Sequence, residues 1–145
     1  MKIEIVPASL SHYEELLKLW KKTEGVKVRK DDDYEGYCRL ITKNEETSFV
    51  ALANDRIIGS ILCGIDGKRA YIYHMMVDRE FRHQKIGTKL VNKVMNKAYE
   101  MKIDKCSFVV FKDNQTGEEF WESVGAVKRT DLDYYDLDTC KVDML

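Results

Sequence analysis

The run Met75-Met76-Val77-Asp78-Arg79-Glu80-Phe81-Arg82-His83-Gln84-Lys85-Ile86-Gly87-Thr88-Lys89-Leu90 begins as a strand, passes through a short polar loop and ends as a helix. Its hydrophobic period changes from 2 to about 3.6 at Ile86, after which Leu90, Val94, Ala98 and Met101 continue one helical face. The first turn of a helix leaves backbone N–H groups without partners, and its dipole favours negative charge. A polar loop feeding such a turn suits a pyrophosphate. Arg82, His83, Gln84 and Lys85 add donors and positive charge there, and Gly87 admits a ligand close to the backbone. A solvated strand–helix connection would also account for these residues. Two other phosphate-binding motifs are excluded. No G-x-x-x-x-G-K-[ST] occurs, and the three glycines of a dinucleotide fingerprint are missing.

Working outward, Arg56–Ile65 and Ala70–Val77 read as strands joined at Asp66-Gly67, a pair suited to a type I′ turn. Ser48–Ala53 precedes them across Asn54-Asp55. Lys105–Phe111 is a continuous apolar run after a crossover helix, so it is expected to pair in parallel with Ala70–Val77. Upstream, Lys2–Val6 alternates as a strand does. Ser11 and Glu14 form a capping box before a helix carrying Tyr13, Leu16, Leu17 and Trp20, and Asp31, Asp32 and Asp33 open a second helix. Downstream, Thr116–Val124 reads as a helix stopped by Gly125, followed by strands near Ala126–Arg129 and Tyr134–Leu137. The order is β-α-α-β-β-β-α-β-α-β-β: an α/β (α+β) chain with one mixed, mostly antiparallel sheet flanked by helices.

The chain has 145 residues, a single proline and no linker, which predicts one domain over 1–145. Its net charge of −1 supplies no broad basic field, so nucleic acid is not an expected partner. No apolar run is long enough for a membrane span or a signal peptide, and the chain reads as cytoplasmic. Cys38, Cys63, Cys106 and Cys140 form no C-x-x-C pair and read as buried reduced thiols rather than metal ligands.

Val77-Asp78-Arg79-Glu80-Phe81-Arg82-His83-Gln84-Lys85-Ile86-Gly87 resembles the acetyl-CoA signature of Gcn5-related N-acetyltransferases (GNAT), Gln/Arg-x-x-Gly-x-Gly/Ala opening a helix. Arg82 and Gly87 match, and Lys85 stands where the first glycine is usual. The segment from Asn114 to Ala126 resembles the family's second element, with Asn114, Phe120 and Gly125 matching and Gly117, Trp121 and Ala126 departing from it. The order of elements agrees over essentially the whole chain. Gly64–Arg69 further resembles small bacterial and archaeal members.

This resemblance implies an acyltransferase that moves an acetyl group from acetyl-CoA (coenzyme A) to a primary amine of a small molecule or protein, by direct attack in a ternary complex. It implies that the backbone of His83, Gln84, Lys85, Ile86, Gly87 and Thr88 holds the pyrophosphate. Met76 and Val77 would lend a strand edge to the pantetheine arm, which Asn114, Phe120 and Trp121 would also meet. The Met75 N–H would polarise the thioester carbonyl. Trp121 occupies the position of the tyrosine that usually protonates the thiolate, and an indole N–H cannot do so. A non-catalytic acyl-CoA-binding module on the same fold is therefore the alternative.

For acid and base, the central strand offers Tyr73 and His74. Alternation predicts Tyr71 and Tyr73 on one face and His74 on the other. His74 has the side-chain type suited to base work, and a packed core histidine explains it equally. Where relatives carry a glutamate base, the chain has Val109, Val110 and Phe111. Glu80, Glu118 and Glu119 could act only through water. The acceptor is expected between the first two helices and the last hairpin, near Tyr34, Tyr37, Asp131, Asp133, Tyr134 and Tyr135, where aromatic and acidic groups favour a cationic amine. A homodimer is admitted, and the sequence sets no oligomeric state.

Overall fold

A computed structural model describes residues 2–139. They fall into two compact units, divided after Asn114. The first holds β1 (Ile3–Pro7), α1 (Tyr13–Lys22), α2 (Tyr34–Lys43), β2 (Phe49–Ala53), β3 (Arg56–Ile65), β4 (Ala70–Val77), α3 (Ile86–Glu100) and β5 (Cys106–Ser107). The strands form one mixed sheet in the order β1-β2-β3-β4-β5, antiparallel except for the parallel pair β4–β5.

The helices cover both faces of this sheet. α1 buries Tyr13, Leu16, Leu19 and Trp20, which cluster with Tyr37 of α2 and with Val50, Ile57, Leu62 and Met76 of the strands. α3 lies on the opposite face. Gly59 has only a short gap to Leu90 of α3, whereas its neighbour Ser60 meets Trp20 of α1, and successive strand residues face opposite ways. Ile86, Leu90, Val91, Val94 and Ala98 form the buried stripe of α3.

Local chemistry accounts for most element boundaries. Asn54 and Asp55 both have positive φ, as a type I′ hairpin between β2 and β3 requires. Asp33 caps α2, its Oδ1 accepting the Gly36 N–H at 2.8 Å, and a short 3-10 turn at Lys30–Asp32 precedes it. The capping box expected at Ser11 and Glu14 does not form. Ser9 instead caps a 3-10 turn at Leu10–His12, its N–H donating to His12 Nδ1 at 3.0 Å, and α1 begins only at Tyr13. The β3–β4 connection is a longer loop than Asp66-Gly67 alone suggests. Asp66 Oδ1 accepts the N–H groups of both Lys68 and Arg69, so four residues separate the strands, and only Gly67 of that pair has positive φ.

The expected long strand Lys105–Phe111 shrinks to Cys106–Ser107, paired with Ala70 and Tyr71. Beyond Ser107 the ladder ends, which leaves the C-terminal part of β4 without β5 beside it. The second unit contains α4 (Gln115–Ser123), ended near Gly125, whose φ is +96°. Between 126 and 139 no strand forms, so the two final strands are not realised among the described residues. Each strand needs a hydrogen-bonded neighbour, and alternation by itself does not supply one.

Candidate active site

β4 ends at Val77 and the chain turns into α3 through residues 78–85, at the end of the sheet where β4 and β5 have parted. Asp78 starts this connection, its N–H donating to the Ile58 carbonyl at 2.7 Å and its side chain accepting the Glu80 N–H. Phe81 is buried and anchors the loop to the core. Arg82 folds back, its Nε donating to the Val77 carbonyl at 3.0 Å. Arg82 therefore braces the loop, and its Nε is spent on that contact rather than offered to a ligand.

The next three residues, His83, Gln84 and Lys85, are exposed. His83 and Lys85 both have φ of 65°, in the left-handed region that a glycine would occupy without strain. Lys85 is the N-cap of α3, so a left-handed residue is followed directly by helical ones, an arrangement that turns successive N–H groups into a concave anion site. Lys89 is the first amide bonded back, to the Lys85 carbonyl at 3.1 Å. The amides of Ile86, Gly87 and Thr88 precede any carbonyl they could reach within the helix. This backbone, with a buried Gly87 behind it, fits a pyrophosphate.

The centre of β4 contains a bulge. Ser60 pairs with Met76 and Leu62 with Tyr73, so His74 and Met75 together oppose the single residue Ile61. His74 takes a φ of 45° to accommodate it. The bulge resets the strand's alternation. Tyr73 faces the side of Leu62 and of Leu40 in α2, and His74 does too, packing its ring 4.6 Å from that of Trp20. The expected separation of Tyr73 and His74 onto opposite faces is thus overturned, because strict alternation cannot pass through an inserted residue.

Two hydrogen bonds hold His74 in this conformation. Ser60 Oγ donates to its carbonyl at 2.7 Å and accepts from Trp20 Nε1 at 3.0 Å. His74 Nε2 lies 2.8 Å from Asp32 Oδ1, on the 3-10 turn ahead of α2. Burial raises the Asp32 carboxyl, but the bond to His74, the Arg29 amide and the charges of His74 and Arg29 outweigh it and leave the group below its ordinary range. Tyr13 steadies the same turn, its hydroxyl donating to the Asp32 carbonyl at 2.7 Å. Nothing in the sequence pairs Asp32 with His74. Only the bulge and the α1–α2 connection bring them together.

Beside His74, Tyr73 is exposed and its ring lies 4.8 Å from that of Tyr71. Both line a cleft of about 410 Å³ with Asn44, Gly64, Asp66, Arg69 and Ser107. Met75 is half-buried within the bulge, and Met76 and Val77 are buried. Asn114 is half-buried and close enough to Gly25 that a Cβ there would fall 2.8 Å from its side-chain nitrogen. Tyr37 does not line a site. It is buried, its hydroxyl donates to the Ser9 carbonyl at 2.7 Å, and burial raises its pKa. It was expected near an acceptor between the first two helices and the last hairpin, yet the core takes Tyr37 while Tyr34 stays half exposed, edge-on to Tyr13.

In the second unit, Phe120 and Trp121 stack edge to face at 5.3 Å. Asp131 is engaged bidentately by Arg129, and Tyr134 and Tyr135 are exposed. Among the described residues no cluster of ligating side chains could hold a metal. Cys63 is buried, with burial and the nearby Cys106 pushing its thiol up to about 12, whereas Cys38 and Cys106 are only half-buried. Cys140 lies outside the described residues. No described helix is long and apolar enough to cross a membrane.

Residues 13–126 match the Acetyltransferase (GNAT) family, a match that runs from α1 through the loop, the bulge and α4. The chain belongs to that family. It is an acyltransferase that uses acetyl-CoA. Acetyltransferase YE1169 of Yersinia enterocolitica is 26% identical over 137 residues, covering 94% of this chain and 91% of that protein. A GNAT-family acetyltransferase from Staphylococcus aureus Mu50 is 28% identical, with a TM-score of 0.78 over 94% of this chain and 93% of the other. The fold also matches PaiA N-acetyltransferase from Thermoplasma acidophilum, solved in complex with coenzyme A. That match has a TM-score of 0.79 at 23% identity, covering 90% of this chain and 94% of that one.

Proposed function

We propose that the chain is an N-acetyltransferase that moves an acetyl group from acetyl-CoA onto a primary amine of a small molecule or protein, by direct attack in a ternary complex. The observation that carries this proposal is the left-handed Lys85 opening α3 at the parted end of β4 and β5. The amides of His83 to Thr88 hold the pyrophosphate, and Arg82 keeps the loop in shape. Met76 and Val77 lend the strand edge, and the Met75 N–H stabilises charge on the thioester oxygen. Asn114 completes the cofactor contacts of the first compact unit. The family match continues from the first compact unit into α4 of the second, and in this proposal residues 1–145 are one N-acetyltransferase domain.

When bound, acetyl-CoA supplies the activated acyl group, and the chain supplies orientation and a proton acceptor. We place the acceptor amine in the cleft of Tyr71 and Tyr73, where aromatic faces suit a cation. Asp66 remains ionised there, its carboxyl lowered by the N–H groups of Arg69 and Lys68. Tyr34, half exposed on α2, extends the acceptor surface in this proposal. His74 accepts the ammonium proton, and Tyr73 is the phenol nearest the reacting centre in sequence.

Calorimetry with coenzyme A and its Gly87→Val variant tests the loop. Gly87 is buried in the first turn, so valine should weaken coenzyme A binding more than about tenfold, or 1.4 kcal/mol, while circular dichroism reports an intact fold. Unchanged affinity in a folded variant refutes the loop assignment. Thiol release with a panel of primary amines then tests the transfer itself.

A further inference from the structure

We infer that Asp32 is a positioning residue that fixes the tautomer of His74, so that Nδ1 is the nitrogen that takes the proton from the acceptor amine. This rests on the proposed amine N-acetyltransferase reaction. A carboxylate accepts hydrogen bonds only, so the 2.8 Å contact with Asp32 Oδ1 keeps the imidazole proton on Nε2. A neutral ring then has its lone pair on Nδ1. Among the described residues no buried side-chain nitrogen or oxygen lacks a partner, and the structure gives Nδ1 no protein partner, so Nδ1 meets solvent or a ligand.

The surroundings fix the ring as well as its tautomer. His74 holds a left-handed backbone in the β4 bulge, and its carbonyl is bonded by Ser60 Oγ, which is itself bonded to Trp20 Nε1. The Trp20 ring lies against the imidazole. Asp32 is held in turn by the Arg29 N–H at 2.8 Å on Oδ2 and by Tyr13 on its carbonyl. A strained residue retained by so many contacts marks a place where geometry is being enforced. Tyr73, the residue before His74, lines the cleft with Tyr71, so the proposed acceptor site begins one residue along β4 from His74. The proton step is balanced: R–NH3+ gives one proton to Nδ1, leaving R–NH2 and an imidazolium that later returns the proton to solvent.

Asp32→Asn tests the inference. Asparagine keeps the shape, but its NH2 can donate to Nε2, which drives the ring proton onto Nδ1 and blocks it as an acceptor. The sequence has three histidines, His12, His74 and His83, so 15N-histidine labelling yields three imidazole systems. His74→Asn, which tolerates a left-handed backbone, assigns the middle one. In the wild type the neutral His74 ring should carry its proton on Nε2, and in Asp32→Asn on Nδ1. With phenethylamine as probe, kcat should fall about tenfold or more in Asp32→Asn, while the KM for acetyl-CoA stays within about twofold. A purely structural carboxylate would not shift the tautomer. The inference is overturned if neutral wild-type His74 carries its proton on Nδ1, or if Asp32→Asn keeps the wild-type kcat. If the wild type binds acetyl-CoA but acetylates no primary amine, the proposed function fails instead, and the tautomer still decides the role of Asp32.

Discussion

Lys85 opens α3 at the proposed anion site, with φ 65° and ψ 17°. An L-residue in that conformation carries a Cβ clash of roughly 1–2 kcal/mol, which glycine avoids. Glycine also has more freedom to lose on folding, roughly 0.5–1 kcal/mol relative to alanine. Comparing Lys85→Gly with Lys85→Ala removes the lysine charge from both sides and leaves these two opposing effects. At a left-handed site the difference should favour glycine by about 0.5–1 kcal/mol, whereas at an ordinary φ it favours alanine by a similar amount. The sign, not the size, is decisive. For a chain of this length the melting temperature should rise by about 1–4 °C from the alanine to the glycine variant. Urea denaturation of both variants gives the free-energy difference directly. Calorimetry with coenzyme A should show comparable affinity for the two, since glycine adopts the same backbone. A glycine variant less stable than the alanine variant would refute a left-handed Lys85 and remove the basis for the concave amide site.

Ser60→Ala should cost about 1–3 kcal/mol in urea denaturation, because the buried Trp20 Nε1 loses its acceptor and the His74 carbonyl its donor. A change below about 0.5 kcal/mol would show that the bulge does not depend on this bridge. The lowered Asp32 carboxyl contributes stability that is present above its unfolded range and lost as pH falls through its folded value. Asp32→Asn should therefore lose less stability than the wild type between about pH 5 and pH 3, measured by thermal melting. An equal loss in both would refute the carboxylate's part in acid sensitivity. The Cys63 thiol, buried and pushed up to about 12, should not react with a disulfide reagent at pH 8 until the chain is unfolded. Rapid native labelling at Cys63 would contradict its burial in β3.

The parts legible in the sequence were those that depend on near neighbours. The change of period at Ile86 and the turn at Asn54-Asp55 rest on residues a few positions apart and formed where expected, and of the three aspartates expected to open α2 only Asp33 caps it. Long-range geometry was harder to read. The apolar run Lys105–Phe111 had the composition of a buried strand, yet only Cys106 and Ser107 pair, because pairing depends on where β4 lies and not on the run itself. The position of Lys85 in the motif had looked like a departure from glycine. The structure shows that the backbone keeps the glycine conformation and that lysine bears the strain.

The bulge explains why the chemistry was the least legible part. A single inserted residue in β4 turns His74 toward α1 and α2, where it meets a carboxylate 42 residues away in sequence. Read from the strand alone, His74 was a packed residue or a base, on the face away from Tyr73. Read with its partners, it is a ring with one nitrogen bound by Asp32 and the other without a partner among the described residues. The same bulge delivers Met75 and the edge of β4 that the proposed thioester contact requires. One irregularity in the strand therefore sets the proposed proton acceptor next to the strand edge. That coupling is why Ser60→Ala, which touches neither the amine nor acetyl-CoA in the proposed site, should lower kcat along with stability.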